Sequence, residues 1–247
     1  GAWIADLLLY VFGLSAWWWV AMLTFLSAAG YHRLSAGSAA SDWGRCAQAE
    51  LWLTQGRGPS PKPVYRCVRV ASRPELDGRL DDDMWGQVEP MALSSAQHDD
   101  ATWPATVMLA CDDEFFYVAA SCRKAPGAQY PASSGPRPRD PPLDAHDRVD
   151  LLIDLDRDYT TYYRLTFDHR GWTGEACVGD SHWDPVWYVA CDPGEEQWVV
   201  EAAIPLTELV GERPQRRDVW AVGVQRIVPR VGIQSFTPPA SVVPRGE

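Results

Sequence analysis

VDLLIDLDRDYTTYYRLTFD, residues 149 to 168, holds two strand-like runs with a polar turn between them. From Tyr163 the side chains alternate. Tyr163, Leu165 and Phe167 point one way, and Arg164, Thr166 and Asp168 the other. That period of two belongs to a half-buried strand. Val149 to Leu155 is more apolar, as a central strand would be. Asp156, Arg157 and Asp158 supply the turn. A hairpin of this length needs further strands on both sides to be stable.

Working outward, those strands are legible. The expected runs are Val64–Val70, Thr106–Cys111, Phe115–Cys122, Trp172–Val178, Val186–Cys191, Gln197–Ile204, Val219–Ile227 and Ile233–Thr237. Asp112-Asp113-Glu114 is a hairpin turn signal. Asp81 reads as the N-cap of a short helix carrying Trp85. Arg123–Asp147 is a proline-rich loop, of a length usually reserved for function. The sum is about ten strands and little helix, which predicts an antiparallel β-sandwich from residue 64 to 247.

The N-terminal part differs in kind. Leu7 to Tyr31 carries no charged side chain and includes Trp17-Trp18-Trp19 and Leu23-Thr24-Phe25-Leu26. At ~1.5 Å per residue such a helix crosses a bilayer core of ~30 Å. Residues 1–34 therefore read as a transmembrane helix, in preference to a signal peptide cut near Ser27-Ala28-Ala29, because no basic n-region precedes it. Arg33, Arg45 and Arg57 follow the span, and the positive-inside rule places what comes after it in the cytoplasm. A glycan binder would instead face outward, so the side of the membrane stays open. Residues 35–63, rich in Ser, Ala, Gly and Pro, read as a linker with a turn or two of helix around Trp52. The chain starts at Gly1 rather than Met, as a fragment or a processed product would.

Composition narrows the function. The net charge is −11, the opposite of what a nucleic-acid backbone attracts. The six cysteines show no C-x-x-C and no His/Cys cluster, against a zinc site. There is no G-x-S-x-G, and choosing two of 33 acids as a glycosidase pair would be arbitrary.

Several motifs carry a resemblance. Leu76-Asp77-Gly78-Arg79-Leu80-Asp81-Asp82-Asp83-Met84-Trp85 resembles the opening I-D-G-x-L-D-E-x-x-W of family 9 carbohydrate-binding modules, within the wider DOMON-like sandwich group. Ala110 to Val118 and Asp147 to Asp154 are similar to two further motifs of that family, and Val200 to Pro205 and Gly223 to Arg226 extend the match. The resemblance implies a sandwich that binds sugar, often with structural calcium, and carries no catalysis. It places one aromatic clamp position within Pro141–His146, which has no aromatic here, and the other past Gln234-Ser235-Phe236-Thr237, where the family's last strand is missing. Separately, Gly1 to Tyr10 with Phe12-Gly13 resembles a membrane helix of the FtsK/SpoIIIE DNA translocases. No phosphate-binding loop accompanies it, so DNA pumping is not implied.

Sugar recognition needs an aromatic platform and polar partners. The loop aromatics Trp103, Trp172, Trp183, Trp187 and Phe236 are the candidate platforms, with His182 and Asp184 beside Trp183 as hydrogen-bonding groups. Asp154-x-Asp156-x-Asp158 has the spacing that opens a calcium loop. Tyr159 at position six and Leu165 at position twelve exclude an EF-hand, so a looser site drawing on Asp147, Asp150, Asp154, Asp156 and Asp158 is the expectation. The leading function is a membrane-tethered carbohydrate-binding module. The alternatives are an interaction domain of the same fold, and a haem-binding DOMON-like domain using Met108 and His169.

Overall fold

The computed structural model describes residues 42–95, 100–133, 135–178, 182–211, 213–215 and 217–236. The transmembrane helix expected over 1–34 lies outside them. Among the described residues no helix is long and apolar enough to cross a membrane. The chain divides into two units, residues 1–65 and 66–247.

In the first unit, helix α1 (Asp42–Gln55) takes up the middle of the expected linker. It stops at Gly56, whose φ of 62° reverses the chain while its N–H donates to the Trp52 carbonyl at 2.7 Å. The proline-rich stretch begins only after that.

The second unit is a mainly antiparallel sheet. Its strands are β1 (Val68–Arg69), β2 (Met91–Ser95), β3 (Ala105–Cys111), β4 (Phe115–Arg123), β5 (Arg148–Asp154), β6 (Tyr163–Asp168), β7 (Thr173–Cys177), β8 (Tyr188–Asp192), β9 (Gln197–Pro205), β10 (Ala221–Val228) and β11 (Gly232–Ser235). A four-residue helix α2 (Leu206–Leu209) follows β9. The spatial order is β7-β6-β5-β10-β11-β2-β3-β4-β9-β8, with β1 parallel to β3. The expected sandwich is thus one continuous, nearly closed sheet. β2, which sequence reading passed over, joins its halves: Met91–Leu93 pair with β3, and Ser94 and Ser95 with β11. The expected strand Val64–Val70 shrinks to two residues, and the expected helix at Asp81 to a 3-10 turn at Trp85–Gln87 without a side-chain cap.

The core lies between the halves. Val149, Leu151 and Ile153 of β5 and Leu165 and Phe167 of β6 are buried, as are Trp198, Val200 and Ile204 of β9. Arg226 and Asp147 sit between the halves at 0% and 1% exposure. The guanidinium grips the carboxylate side-on, Nε to Oδ1 at 2.9 Å and an Nη to Oδ2 at 2.6 Å. It also donates to the carbonyls of Trp103 and Arg123. Trp198 Nε1 and the Tyr130 hydroxyl complete Asp147, at 3.0 and 2.9 Å.

A second anchor lies on the outer side of β9. Glu201 is fully buried and accepts from the Asp77 and Gly78 N–H groups and from Trp85 Nε1, at 3.2, 2.9 and 2.7 Å. Gly78 has φ +83°, and a Cβ there would stand 2.5 Å from the Asp192 nitrogen, so the turn tolerates only glycine. Burial raises the Glu201 pKa against these three donors.

The free ends of the sheet meet. The turn at Gly171, between β6 and β7, packs on Cys191 of β8, where a Cβ on Gly171 would lie 2.7 Å from the Cys191 Cβ. The 124–147 loop covers the β7 edge: Arg137 donates to the Thr173 carbonyl at 3.1 Å, and Leu143 lies against Gly174. An unpaired strand edge is protected this way. Inside, His169 is buried against Tyr130 and has His146 Nδ1 3.4 Å from its Nε2. Burial lowers the pKa of both histidines.

Removing Arg226 strands a buried carboxylate. Arg226→Leu is expected to cost about 3–5 kcal/mol in urea unfolding, and adding Asp147→Asn to recover part of it. The depressed histidines make the folded state resist protonation. The stability they confer is full above their unfolded pKa and is lost as pH falls through the lower folded values. The melting temperature should therefore fall from pH 7 to pH 5.5, and a His146→Gln/His169→Gln protein should show a flatter profile over that window.

Candidate functional site

The outer face of β5, β6 and β10 holds the densest polar cluster that the anchors do not use. Pairing sets Asp150 opposite both Thr166 and Gln225. These three share one face, while their neighbours Leu151, Leu165 and Val224 enter the core. Asp150 accepts from the Thr166 hydroxyl at 3.0 Å and from Gln225 Nε2 at 3.2 Å. Arg148, two residues along the same face, brings its Nε to 3.5 Å from Asp150 Oδ1 and bonds the Asp144 carbonyl at 3.2 Å.

The cluster continues to an aromatic. Asp168 stands opposite Arg148. It takes the Arg170 side chain at 2.5 and 2.9 Å and the Arg170 and Trp172 N–H groups at 2.9 and 3.2 Å. The Arg170 guanidinium lies 3.8 Å from the centre of the Trp172 ring. Trp172 and Gln225 remain partly exposed, while the side chains of Arg148 and Arg170 are 13% and 8% exposed. The result is a ribbon of donors and acceptors ending in an indole, able to present hydrogen bonds and a flat apolar face side by side.

Of the expected platforms, only Trp172 joins this ribbon. Trp103 is a correction: it is 2% exposed, beneath the Arg226 guanidinium, and lines the core with Ala125 and Val228. The loop that carries it is pinned because Arg226 and Gln234 both donate to its carbonyl. Trp183 stacks on Tyr163 with ring centres 4.6 Å apart. His182 is exposed, and Asp184 pairs with Arg139 at 2.9 Å. Trp187 donates Nε1 to Glu175 at 2.5 Å, tying the approach to β8 onto β7. Phe236 is half-buried, with its N–H on the Val224 carbonyl. Gln225, Thr166 and Arg148 were missed in the sequence. Their signal was a polar side chain at an outward position of an otherwise apolar central strand.

The expected metal ligands separate into two groups. Asp147 is consumed by Arg226, Tyr130 and Trp198, while Asp150 belongs to the polar ribbon, bonded to Thr166 and Gln225 and beside Arg148. Asp154, Asp156 and Asp158 do come together, with ligand oxygens all within 4.8 Å of one another. The N–H groups of Arg157 and Tyr159 hold Asp154 at 2.7 and 2.8 Å, in a turn where both donor residues have positive φ. Burial, with Asp156 and Asp158 adding to it, raises the Asp154 pKa. Three crowded carboxylates make an all-oxygen donor set of the kind that suits a hard divalent cation.

The haem pair does not assemble. Met108 pairs with Ala119 on the outer side of β3, the side that Glu201 occupies on β9, whereas His169 is buried between the halves beside Asp147.

A family model described as the 4TM region of DNA translocase FtsK/SpoIIIE matches residues 1–58. No curated protein matches the chain. Among solved structures, two family 9 carbohydrate-binding modules from Caldicellulosiruptor kristjanssonii are similar. The one in complex with cellotriose is 20% identical, with 69% of this chain and 84% of that one covered and a TM-score of 0.48. The one in complex with glucose is 18% identical, with 71% and 85% covered and a TM-score of 0.49. A candidate carbohydrate-binding protein from Bacteroides uniformis is 11% identical, with 73% and 91% covered and a TM-score of 0.54. At that identity the likeness is one of fold.

Proposed function

We propose that residues 66–247 act as a non-catalytic carbohydrate-binding module held at a membrane by the N-terminal segment. The supporting observation is the ribbon from Gln225 through Asp150 and Arg148 to Trp172. A sugar ring laid on the indole would turn its hydroxyls toward Arg148, Asp150 and Gln225. The charge-free run Leu7–Tyr31 and the 4TM match support the tether. A second reading, an interaction domain without sugar, is favoured by one observation: the groups around Asp150 already satisfy one another.

Calorimetric titration with glucose, cello-oligosaccharides and xylo-oligosaccharides separates the two. Saturable binding is expected, and Trp172→Ala or Gln225→Ala should each weaken it by about tenfold or more, or ~1.4 kcal/mol, with little change in melting temperature. A folded protein that binds no glycan would leave the interaction domain standing.

The Asp154, Asp156 and Asp158 turn is proposed as a structural calcium site. Calcium should raise the melting temperature, and a chelator should reverse the rise. Asp156→Asn relieves the crowding, so it should leave the calcium-free protein as stable or slightly more so, and abolish the response to calcium. A melting temperature indifferent to calcium would remove the site.

A further inference from the structure

We infer that His146 and His169 form a chelating pair for a borderline divalent cation of the zinc and copper(II) class. His146 Nδ1 stands 3.4 Å from His169 Nε2. Two nitrogens held at ~2.0–2.1 Å by one tetrahedral ion lie about 3.3–3.4 Å apart, so the pair already has the bite of such a site. As a hydrogen bond the contact is long, since donor and acceptor usually approach to about 2.9–3.0 Å. The ring centres are 5.4 Å apart and the planes inclined by 48°, so the two nitrogens face each other instead of the rings stacking. The residues are 23 apart in the chain, and no His/Cys cluster in the sequence announces them.

The surroundings fix both rings. The His146 N–H donates to the Leu143 carbonyl and the His169 N–H to the Asp147 carbonyl, each at 3.0 Å. Asp147 is itself locked by Arg226. The Tyr130 ring stands edge-on to His169 with centres 5.2 Å apart, and its hydroxyl is tied to Asp147 and to the Ala125 N–H. His169 is buried and His146 half-buried, so an ion enters from the His146 side. The charged neighbours are Asp147 and Asp168 against Arg226 and Arg170, which cancel in pairs.

Burial lowers the pKa of both imidazoles, so both are neutral at pH 7 and carry lone pairs. One ring donates its N–H to the lone pair of the other. To bind the ion, the donor ring moves that proton to its other nitrogen, and both facing lone pairs become ligands; no proton is released. Imidazole suits zinc, copper and nickel, whereas the carboxylates of the Asp154 turn suit a hard ion. The Cys191 thiol donates to the His169 carbonyl at 3.5 Å, and burial pushes its pKa up to about 12, so it stays a thiol and is no ligand. Among the described residues no third histidine, cysteine or carboxylate atom converges on the pair. Water completes the coordination, which makes the site open and exchangeable.

The test is calorimetric titration of the purified full chain, freed of any affinity tag, with zinc at pH 7.5 in excess calcium. One saturable site is expected, and zinc should raise the melting temperature. His146→Ala removes the half-buried partner and should weaken zinc binding by about tenfold or more. The metal-free melting temperature of that variant shows whether it is folded, and His169→Gln supplies the second arm. Electron paramagnetic resonance of the copper(II) complex should show splitting from two imidazole nitrogens, and from at most one in either variant. No saturable zinc binding in excess calcium, unchanged affinity in a folded variant, or a copper spectrum with oxygen ligands alone would each overturn the assignment.

Discussion

The second unit depends on a single buried ion pair. Asp147 ends the long loop and stands just before β5, while Arg226 lies in the middle of β10. Their bidentate contact would be a liability if either partner had spare valence, because two charges removed from water are costly. Neither partner has any. All three guanidinium nitrogens donate, reaching Asp147, Trp103, Arg123 and Gln234. Among the described residues no buried side-chain nitrogen or oxygen lacks a partner. The partners come from both halves of the sheet: Arg123 ends β4, Trp198 lies on β9, and Gln234 on β11. The pair therefore sets how one half lies over the other, a constraint that apolar packing alone specifies less sharply.

Glu201 plays the equivalent part on the outer side. A carboxylate in the middle of β9 would be untenable beneath a covering segment unless that segment brought donors. The Asp77-Gly78 turn brings two backbone N–H groups and Trp85 a third donor. The aspartate–glycine pair and the tryptophan seven residues after the glycine are thus tied to one acid more than a hundred residues away. The motifs that carry the family resemblance are largely these two anchors: Asp77-Gly78 with Trp85 and Glu201, and Asp147 with Arg226. What they encode is the fold.

Most strands were legible because period two is strong where one face is buried, as in Tyr163–Asp168 and Gln197–Pro205. β2 was not, although Met91, Leu93 and Ser95 alternate with Ala92 and Ser94 as a strand should. Three of its five residues are small, and its role as the joint between halves is set by pairing with β3 and β11, which local pattern does not contain. Helix α1 was hidden by the glycine- and proline-rich sequence after it, which pulled the linker assignment too far upstream. Trp103 misled for a related reason. Its neighbours read as loop, and loops usually lie at the surface, but a distant arginine takes its carbonyl and covers its ring.

The candidate site was harder to see than the fold because its chemistry is dispersed. Asp150, Thr166 and Gln225 lie on three strands that become neighbours only once the sheet forms. Once paired, they sit on the outer face, where Asp150 and Thr166 are nevertheless buried and satisfy each other. Asp147 and Glu201 are polar because the core geometry demands it. On Gln225 and Trp172, the partly exposed ends of the ribbon, the fold makes no such demand, and that difference separates the residues that hold this sheet together from those free to serve a ligand.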